Sequence, residues 1–283
     1  NFVFNYGDHK VLPYDKIISK PENLPFLSLP HPDRVFTNAK SYTSGNYKYL
    51  PGTHILSASG CWHGKCSFCV ENGQPYEVRP VEDVISEIEE CKNLGFKSLF
   101  DDSATFPDNQ WCREFCKRVA NLKLNLGCNL RINSNIEFEL MKNAGFEMVL
   151  IGIESANEPT LQKINKGIQV SDIIPTFKKA SKLGLKPHAS AMIGFPWENY
   201  KDTMRTINLI KHLLIKGYAK TAQMSFYTPP ISQEQGNEEY RKYVTKFYEV
   251  GFNPEFWFRQ IKDIKDIDDI KYLWLKIKKG LAR

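Results

Sequence analysis

No run of apolar residues in this 283-residue chain approaches the roughly 20 that a bilayer-spanning helix needs. No basic stretch followed by an apolar one opens it, as a secretory leader would. Both absences point to a cytoplasmic protein, whose seven cysteines then read as thiols and ligands and not as disulfides. A single-sign charge block is missing too: 38 Lys and Arg are interspersed with 32 acids, for a net +6. Such a balance favours solubility and an anionic ligand, and is weak evidence for nucleic acid. Residues 1 to about 50 lack any sustained helical or strand period. Rich in Pro, Asn, Tyr and Asp, they read as an extended segment, with His31 and Asp33 as turn residues beside prolines. The chain begins with Asn1 and not Met, so it is expected to be part of a longer protein.

What is present begins with size. With 42% hydrophobic and 13% aromatic residues, 283 positions suffice for one substantial core and an appendage. The densest chemistry lies in Ser57-Ala58-Ser59-Gly60-Cys61-Trp62-His63-Gly64-Lys65-Cys66-Ser67-Phe68-Cys69-Val70, which carries three cysteines within nine residues. Several thiolates converging from one loop hold an iron–sulfur cluster or a tetrahedral zinc. A four-iron cluster normally takes four cysteines, and a local count of three leaves one iron open to another ligand. A zinc site would need a fourth ligand, for which His63 is nearest. The remaining reading is three unrelated core thiols.

From about residue 53 two textures alternate. Short β-rich runs fall at 53–57, 97–100, 124–130, 147–153, 188–193 and 222–227. Segments of helical period lie between them at 81–94, 108–120, 136–144, 171–183 and 201–216. Ser171-Asp172 and Gly184 are expected to cap the fourth helix, and Gly217 to end the fifth. Alternation of this kind predicts right-handed βα units and a parallel sheet of the α/β class. About six units fall short of a closed eight-stranded barrel, so a partial (βα)6 barrel is preferred to a doubly wound sheet. Chemistry is then expected at the C-terminal strand ends. The residues there are the cysteine loop, Asp101-Asp102-Ser103, Arg131, Glu154-Ser155 and Gly194.

The other cysteines have plainer readings. Cys112 and Cys116 share a helix face and read as buried thiols, Cys91 as core, and Cys128 as core or as facing the barrel interior. After the sixth strand, Pro229-Pro230 breaks the alternation. An aromatic and Lys-rich tail follows, with Tyr240, Tyr243, Phe247, Tyr248, Phe256, Trp257, Phe258, Tyr272 and Trp274. Interleaved Lys and aromatics suit single-stranded nucleic acid or, as preferred here, helices packed on the barrel. The expected division is a segment over 1–50, a core over 51–235 and a helical extension over 236–283.

The cysteine loop resembles that of the radical S-adenosylmethionine (radical SAM) enzymes, in which three cysteines bind a [4Fe-4S] cluster and SAM chelates its fourth iron. That family usually has three residues between the first two cysteines; here there are four, Trp62 to Lys65, and then two before Cys69. Gly64 makes the extra residue easy to absorb, and Phe68 before the last cysteine fits the family. The branch with a cobalamin-binding domain has a similar Phe-x-Asp-Asp run, Arg, Gly-Ile-Glu-Ser and Met-Ile-Gly-x-Pro at successive strand ends. All are present, as is the helix entry formed by Arg79, Pro80, Val84, Glu87 and Ile88. The resemblance implies Cys61, Cys66 and Cys69 as cluster ligands, Asp101 and Asp102 near the SAM amino end, Arg131, Glu154 and Ser155 near its carboxylate and ribose, and Gly194 beside the adenine.

It further implies reductive cleavage of SAM to a 5′-deoxyadenosyl radical that takes hydrogen from a substrate, with a reductant such as flavodoxin or ferredoxin. In the cobalamin branch the outcome is methylation or cyclisation. The Asp-x-His-x-x-Gly signature of a cobalamin domain is absent, Asp8-His9 not matching it, so that domain is expected upstream. Two alternatives stand beside this reading: a radical SAM enzyme modifying tRNA, and a non-enzymatic zinc module binding nucleic acid.

Overall fold

A computed structural model describes residues 25–42, 47–107, 109–133, 135–228, 236, 238–249, 253–264, 266–271 and 274. The chain divides into two compact units, 1–32 and 33–283. The described part of the first contains one 3-10 turn, Phe26–Ser28. The sheet and its helices belong to the second. That unit opens with Asp33 as a turn residue, its Oδ1 accepting from the backbone N–H groups of Val35 and Phe36 at 3.0 and 2.8 Å.

Eight strands follow. β1 (Gly52–Ile55), β4 (Ser98–Asp101), β5 (Asn125–Leu130), β6 (Phe146–Glu154), β7 (Lys186–Ile193) and β8 (Thr221–Phe226) form one sheet in that spatial order. Every pairing in it is parallel. The short strands β2 (Ala58–Ser59) and β3 (Glu77–Val78) form an antiparallel pair of their own. Because the order never reverses, right-handed crossovers place all the connecting helices on one face, which excludes a doubly wound sheet. Those helices are α1 (Val81–Asn93), α2 (Asn109–Val119), α3 (Phe138–Asn143), α4 (Glu158–Lys163), α5 (Val170–Lys182) and α6 (Tyr200–Ile215).

The strands' alternation assigns the two faces. Along β7, Pro187, Ala189, Ala191 and Ile193 are buried, while Lys186, His188, Ser190 and Met192 are half-buried. The buried set, with Val149, Ile151 and Ile153 of β6, meets the helices and makes one continuous core. The half-buried set lines the lumen of a partial barrel. Cys128 lies fully buried in the core. It alternates with Leu126 on the buried face of β5, so it faces the helices and not the lumen, and burial pushes its thiol well up. Cys91, Cys112 and Cys116 are buried as well, the last two with sulfurs 4.0 Å apart.

The helix and strand expectations are met within a few residues at each end, with three differences. α4 is a six-residue helix that its short period did not announce. The β2–β3 pair is too short to leave an alternating pattern. At α5 the N-cap is Gln169, not Ser171-Asp172; no side chain of its own caps it, and the N–H of Val170 is instead received by Glu158 at 2.9 Å. α6 does carry a local cap, the reciprocal Asn199–Asp202 box. Gly184 and Gly217 stand just beyond α5 and α6 with φ of 81° and 70°, as helix-ending glycines do.

Beyond β8 the described tail is helical: a 3-10 turn Glu238–Lys242, α7 (Tyr243–Tyr248) and α8 (Pro254–Lys262). Tyr240 and Phe247 are buried, whereas Phe258 and Trp274 are exposed. Pro229, Pro230 and Tyr272 lie outside the described residues. Among the described residues no helix is long and apolar enough to cross a membrane.

Candidate functional site

The cysteine loop leaves the C-terminal end of β1 and is closed at its neck by the β2–β3 pair, Ala58 opposite Val78 and Ser59 opposite Glu77. Gly60 sits at φ 71°, where an added Cβ would lie 2.1 Å from the carbonyl oxygen of Pro75; only glycine fits there. Within the loop Cys69 N–H donates to Cys66 O at 3.1 Å and Gly73 N–H to Gly64 O at 3.0 Å. Gly64 itself takes φ 54°, a left-handed bend that glycine adopts without strain. Phe68 packs half-buried against the main core.

Asp101 and Ser103 tie down the entry to this loop. Asp101 is buried and accepts from Ser57 Oγ and, at 3.0 Å, from the Ser103 N–H. Ser103 Oγ accepts from the backbone N–H groups of Ser57 and Ala58 at 3.0 and 2.9 Å. Burial pushes the Asp101 carboxyl above its ordinary value against the pull of these hydrogen bonds. Asp102, by contrast, is exposed at the lumen, with Asn129 Nδ2 at 3.4 Å and His54 Nδ1 at 3.9 Å.

Opposite the cysteines lies the segment after α4, which no sequence motif marked. Ser67 N–H donates to Ile164 O at 3.0 Å and His63 Nε2 to Asn165 O at 2.8 Å, so two loops are stitched together. Lys166 follows, its Nζ 2.7 Å from Glu154 Oε1, both side chains nine-tenths buried. Glu154 adopts φ 64°, and its carboxylate with the Lys166 ammonium lies over Gly152, where a Cβ would stand 2.5 Å from Glu154 Oε1. That crowding accounts for the glycine in Gly152-Ile153-Glu154-Ser155. Arg131 donates through Nη2 to Lys166 O, and its guanidinium lies 5.5 Å from the centre of the Trp62 ring. Burial lowers its affinity for a proton, opposed by the charges of Cys66, Cys61 and Glu154. Burial likewise pushes the Cys66 thiol up, while the Lys166 and Arg131 cations pull it down.

The remaining expected residues lie elsewhere. Ser155 turns into a buried network, donating to Glu198 Oε1 at 2.7 Å beside Asn157 and Thr206. Gly194 stands at φ 86° with the Phe226 ring packed on it, so close that a Cβ would meet that ring at 2.3 Å. The structure therefore brings together the cysteine loop, Arg131, Glu154 and Lys166, sets Asp102 at the lumen, and places Asp101 and Ser155 in the protein interior. Lys166 was missed because its only signal is a polar turn, Asn165-Lys166-Gly167, in the loop that follows a strand's C-terminal end.

Among the described residues no three His, Cys, Asp or Glu side chains close around a single ion position. Three thiols on one loop are the donors that a four-iron cluster takes, one thiolate per iron. The polar lining beside the loop fits a carboxylate ligand. Arg131 Nη1 and Trp62 Nε1 are buried without a hydrogen-bond partner among the described residues. Two open N–H donors, one of them cationic, suit a carboxylate.

The sequence model of the radical SAM superfamily matches residues 55–210. A protein of Methanocaldococcus jannaschii without an assigned function is 28% identical over 179 residues, covering 56% of each chain. A Pyrococcus horikoshii protein described as an uncharacterized methyltransferase is 30% identical over 190 residues, 64% of this chain and 40% of its own. The chain thus spans about half the length of the curated relatives it matches. Among solved structures, the radical SAM methyltransferase TsrM from Kitasatospora setae, with cobalamin and a [4Fe-4S] cluster bound, superposes with a TM-score of 0.55 at 19% identity. That superposition covers 64% of this chain and 37% of TsrM, and at such identity the likeness concerns the fold alone.

Proposed function

Because this chain belongs to the radical SAM superfamily, we propose that Cys61, Cys66 and Cys69 hold a [4Fe-4S] cluster and that SAM binds between this loop and the Arg131–Glu154–Lys166 group. The observation that carries the proposal is the stitching of the thiol loop to the Ile164–Lys166 segment, which brings three cysteines and two buried cations to one strand-end site. When bound, the cluster and SAM supply an electron and a sulfonium whose reductive cleavage yields the 5′-deoxyadenosyl radical that takes hydrogen from a substrate.

The chain's own residues bind, orient and exclude water. Arg131 and Lys166 offset the negative charge that three thiolates bring to a partly buried loop. The open donors of Arg131 and Trp62 receive the carboxylate of SAM, and Glu154, held by Lys166, presents a fixed acceptor to its ribose. Asp102, exposed at the lumen, accepts from the ammonium. Asp101 and Ser155 act at one remove: the first fixes the start of the cysteine loop, the second the turn after β6. The substrate occupies the lumen, whose lining mixes His54, Asn129 and Ser190 with Phe100, Met148 and Met192. A cobalamin-binding domain outside residues 51–235 completes this reading, and the product is a methylated or cyclised carbon skeleton. A flavodoxin or ferredoxin supplies the electron.

The test is made on anaerobically reconstituted protein given SAM and dithionite. The parent is expected to release 5′-deoxyadenosine, and a variant with Cys61, Cys66 and Cys69 all changed to Ala to release none. An iron-loaded parent that forms no product sinks the proposal, as does a parent that holds zinc without iron or sulfide.

A further inference from the structure

Among the described residues strand β1 lies at the edge of the sheet and pairs with β4 alone. Its Ile55 carbonyl faces β4 and accepts from the Asp102 N–H at 2.9 Å. By the strand's alternation the carbonyls of His54 and Leu56 face the open edge, where no strand among the described residues receives them. Two arginines do. Arg34 Nη2 donates to His54 O at 2.8 Å, and Arg79 Nη1 to Leu56 O at 2.9 Å. The Arg79 N–H adds a bond to Ser57 O at 2.9 Å.

Both guanidiniums converge on one carboxylate. Glu87 of α1, 1% exposed, accepts from Arg34 at Oε1 and from Arg79 at Oε2, each at 2.5 Å. Asp83 holds the far side of Arg79 at 2.6 Å, so two cations meet two anions. A buried ion cluster of this kind is a poor source of stability, since hydrophobic residues of equal volume often serve as well. What apolar residues cannot do is orient carbonyls. The backbone so oriented, 54–57, is the last stretch of chain before the β2–β3 neck and Cys61.

We infer that Arg34, Glu87 and Arg79 are positioning residues for the cysteine loop, closing the free edge of β1 in place of a neighbouring strand and thereby setting where Cys61 stands. The inference rests on the site reading given above only for the purpose of that placement. It also gives the Arg79-Pro80 helix entry, with Glu87 two turns on, a physical task.

The test compares parent, Arg34→Met and Arg34→Lys. On metal-free full-length chain, amide exchange over 52–60 is expected to rise about tenfold in Arg34→Met, with β7 unchanged, and Cys61 to be alkylated several-fold faster. On reconstituted protein, retained iron is expected to fall several-fold, with a second species in the resonance spectrum of the reduced cluster. Arg34→Lys, which keeps the charge but gives up the planar fork and its Nε contact to Thr53 Oγ1, should show the same changes to a lesser degree. It carries the same criteria if Arg34→Met does not fold. Unchanged exchange over 52–60 overturns the inference. So does faster exchange with unaltered Cys61 alkylation and iron, the mark of a merely structural role. A parent that takes up no iron overturns the cofactor proposal alone, because exchange and alkylation are read without metal.

Discussion

Lys166 shows how much one side chain can depend on its surroundings. Its ammonium neutralises a Glu154 carboxylate that is itself nine-tenths buried, while its backbone carbonyl receives Arg131. Removing one partner of such a pair strands the other charge, at a cost of about 3 kcal/mol or more. Lys166→Met is therefore expected to lower the unfolding free energy in urea by about that amount, and Lys166→Met with Glu154→Gln to recover part of it. A single variant as stable as the parent would show that the pair is not buried in solution. Asp101 gives the pH-dependent case. Burial holds its carboxyl above the ordinary 3.8, so the folded chain binds that proton more tightly than the unfolded chain. The resulting contribution to stability is fully present below 3.8 and is lost as pH rises through the folded pKa. Asp101→Asn should thus flatten the dependence of unfolding free energy on pH above about pH 4, where the unfolded carboxyl has lost its proton and the folded one still holds it. Identical slopes in parent and variant would remove burial as the cause.

Among the elements, those with a strong period of their own were the legible ones. Four long helices, the shorter α3 and the six sheet strands each carry an apolar pattern of their own, and helix-ending glycines such as Gly184 and Gly217 stand directly beside the helix they close. α4, the β2–β3 neck and the α5 cap were not legible. A two-residue strand carries too few positions to show a period, Pro159 in the first turn of α4 reads as a turn signal, and Glu158 caps a helix that begins 12 residues further on. The neck is testable through Gly60. Alanine there must hold a left-handed φ and displace the Pro75 carbonyl, a strain of about 1–3 kcal/mol. Gly60→Ala is expected to lose iron on reconstitution while the far-ultraviolet circular dichroism of the sheet and helices persists. Full iron retention would show that the neck does not set the loop.

At the scale of the whole second unit, the tail is tied to the open end of the sheet by charge. Lys48, next to β1, reaches Asp266 and Asp269 at 3.0 Å each, and Lys220 before β8 reaches Asp263 at 2.9 Å. Asp266 and Asp263 are half-exposed, so their ties are weak and screened by salt, whereas the Lys48–Asp269 pair is largely shielded. Lys48→Ala should accordingly speed amide exchange over 266–271 at low ionic strength, with the difference shrinking at about 0.5 M salt. A difference that persists at high salt would point to packing in place of charge.

Three thiols in nine residues, the strand–helix alternation and the polar groups at successive strand ends were written in the sequence alone. Each depends on residue type and local spacing, which a linear chain carries in full. From these the α/β class, the six-stranded parallel order and the thiol-bearing loop all follow. The tertiary structure decided what each polar residue does with its side chain. Asp101 and Asp102 are neighbours, yet alternation turns one into the core and leaves the other at the lumen. Arg34 and Glu87 lie 53 residues apart and Lys166 twelve beyond Glu154, and only folding makes them ion pairs. Chemistry that rests on composition can be read along the chain, whereas chemistry that rests on which charge faces which waits for the packing that buries both.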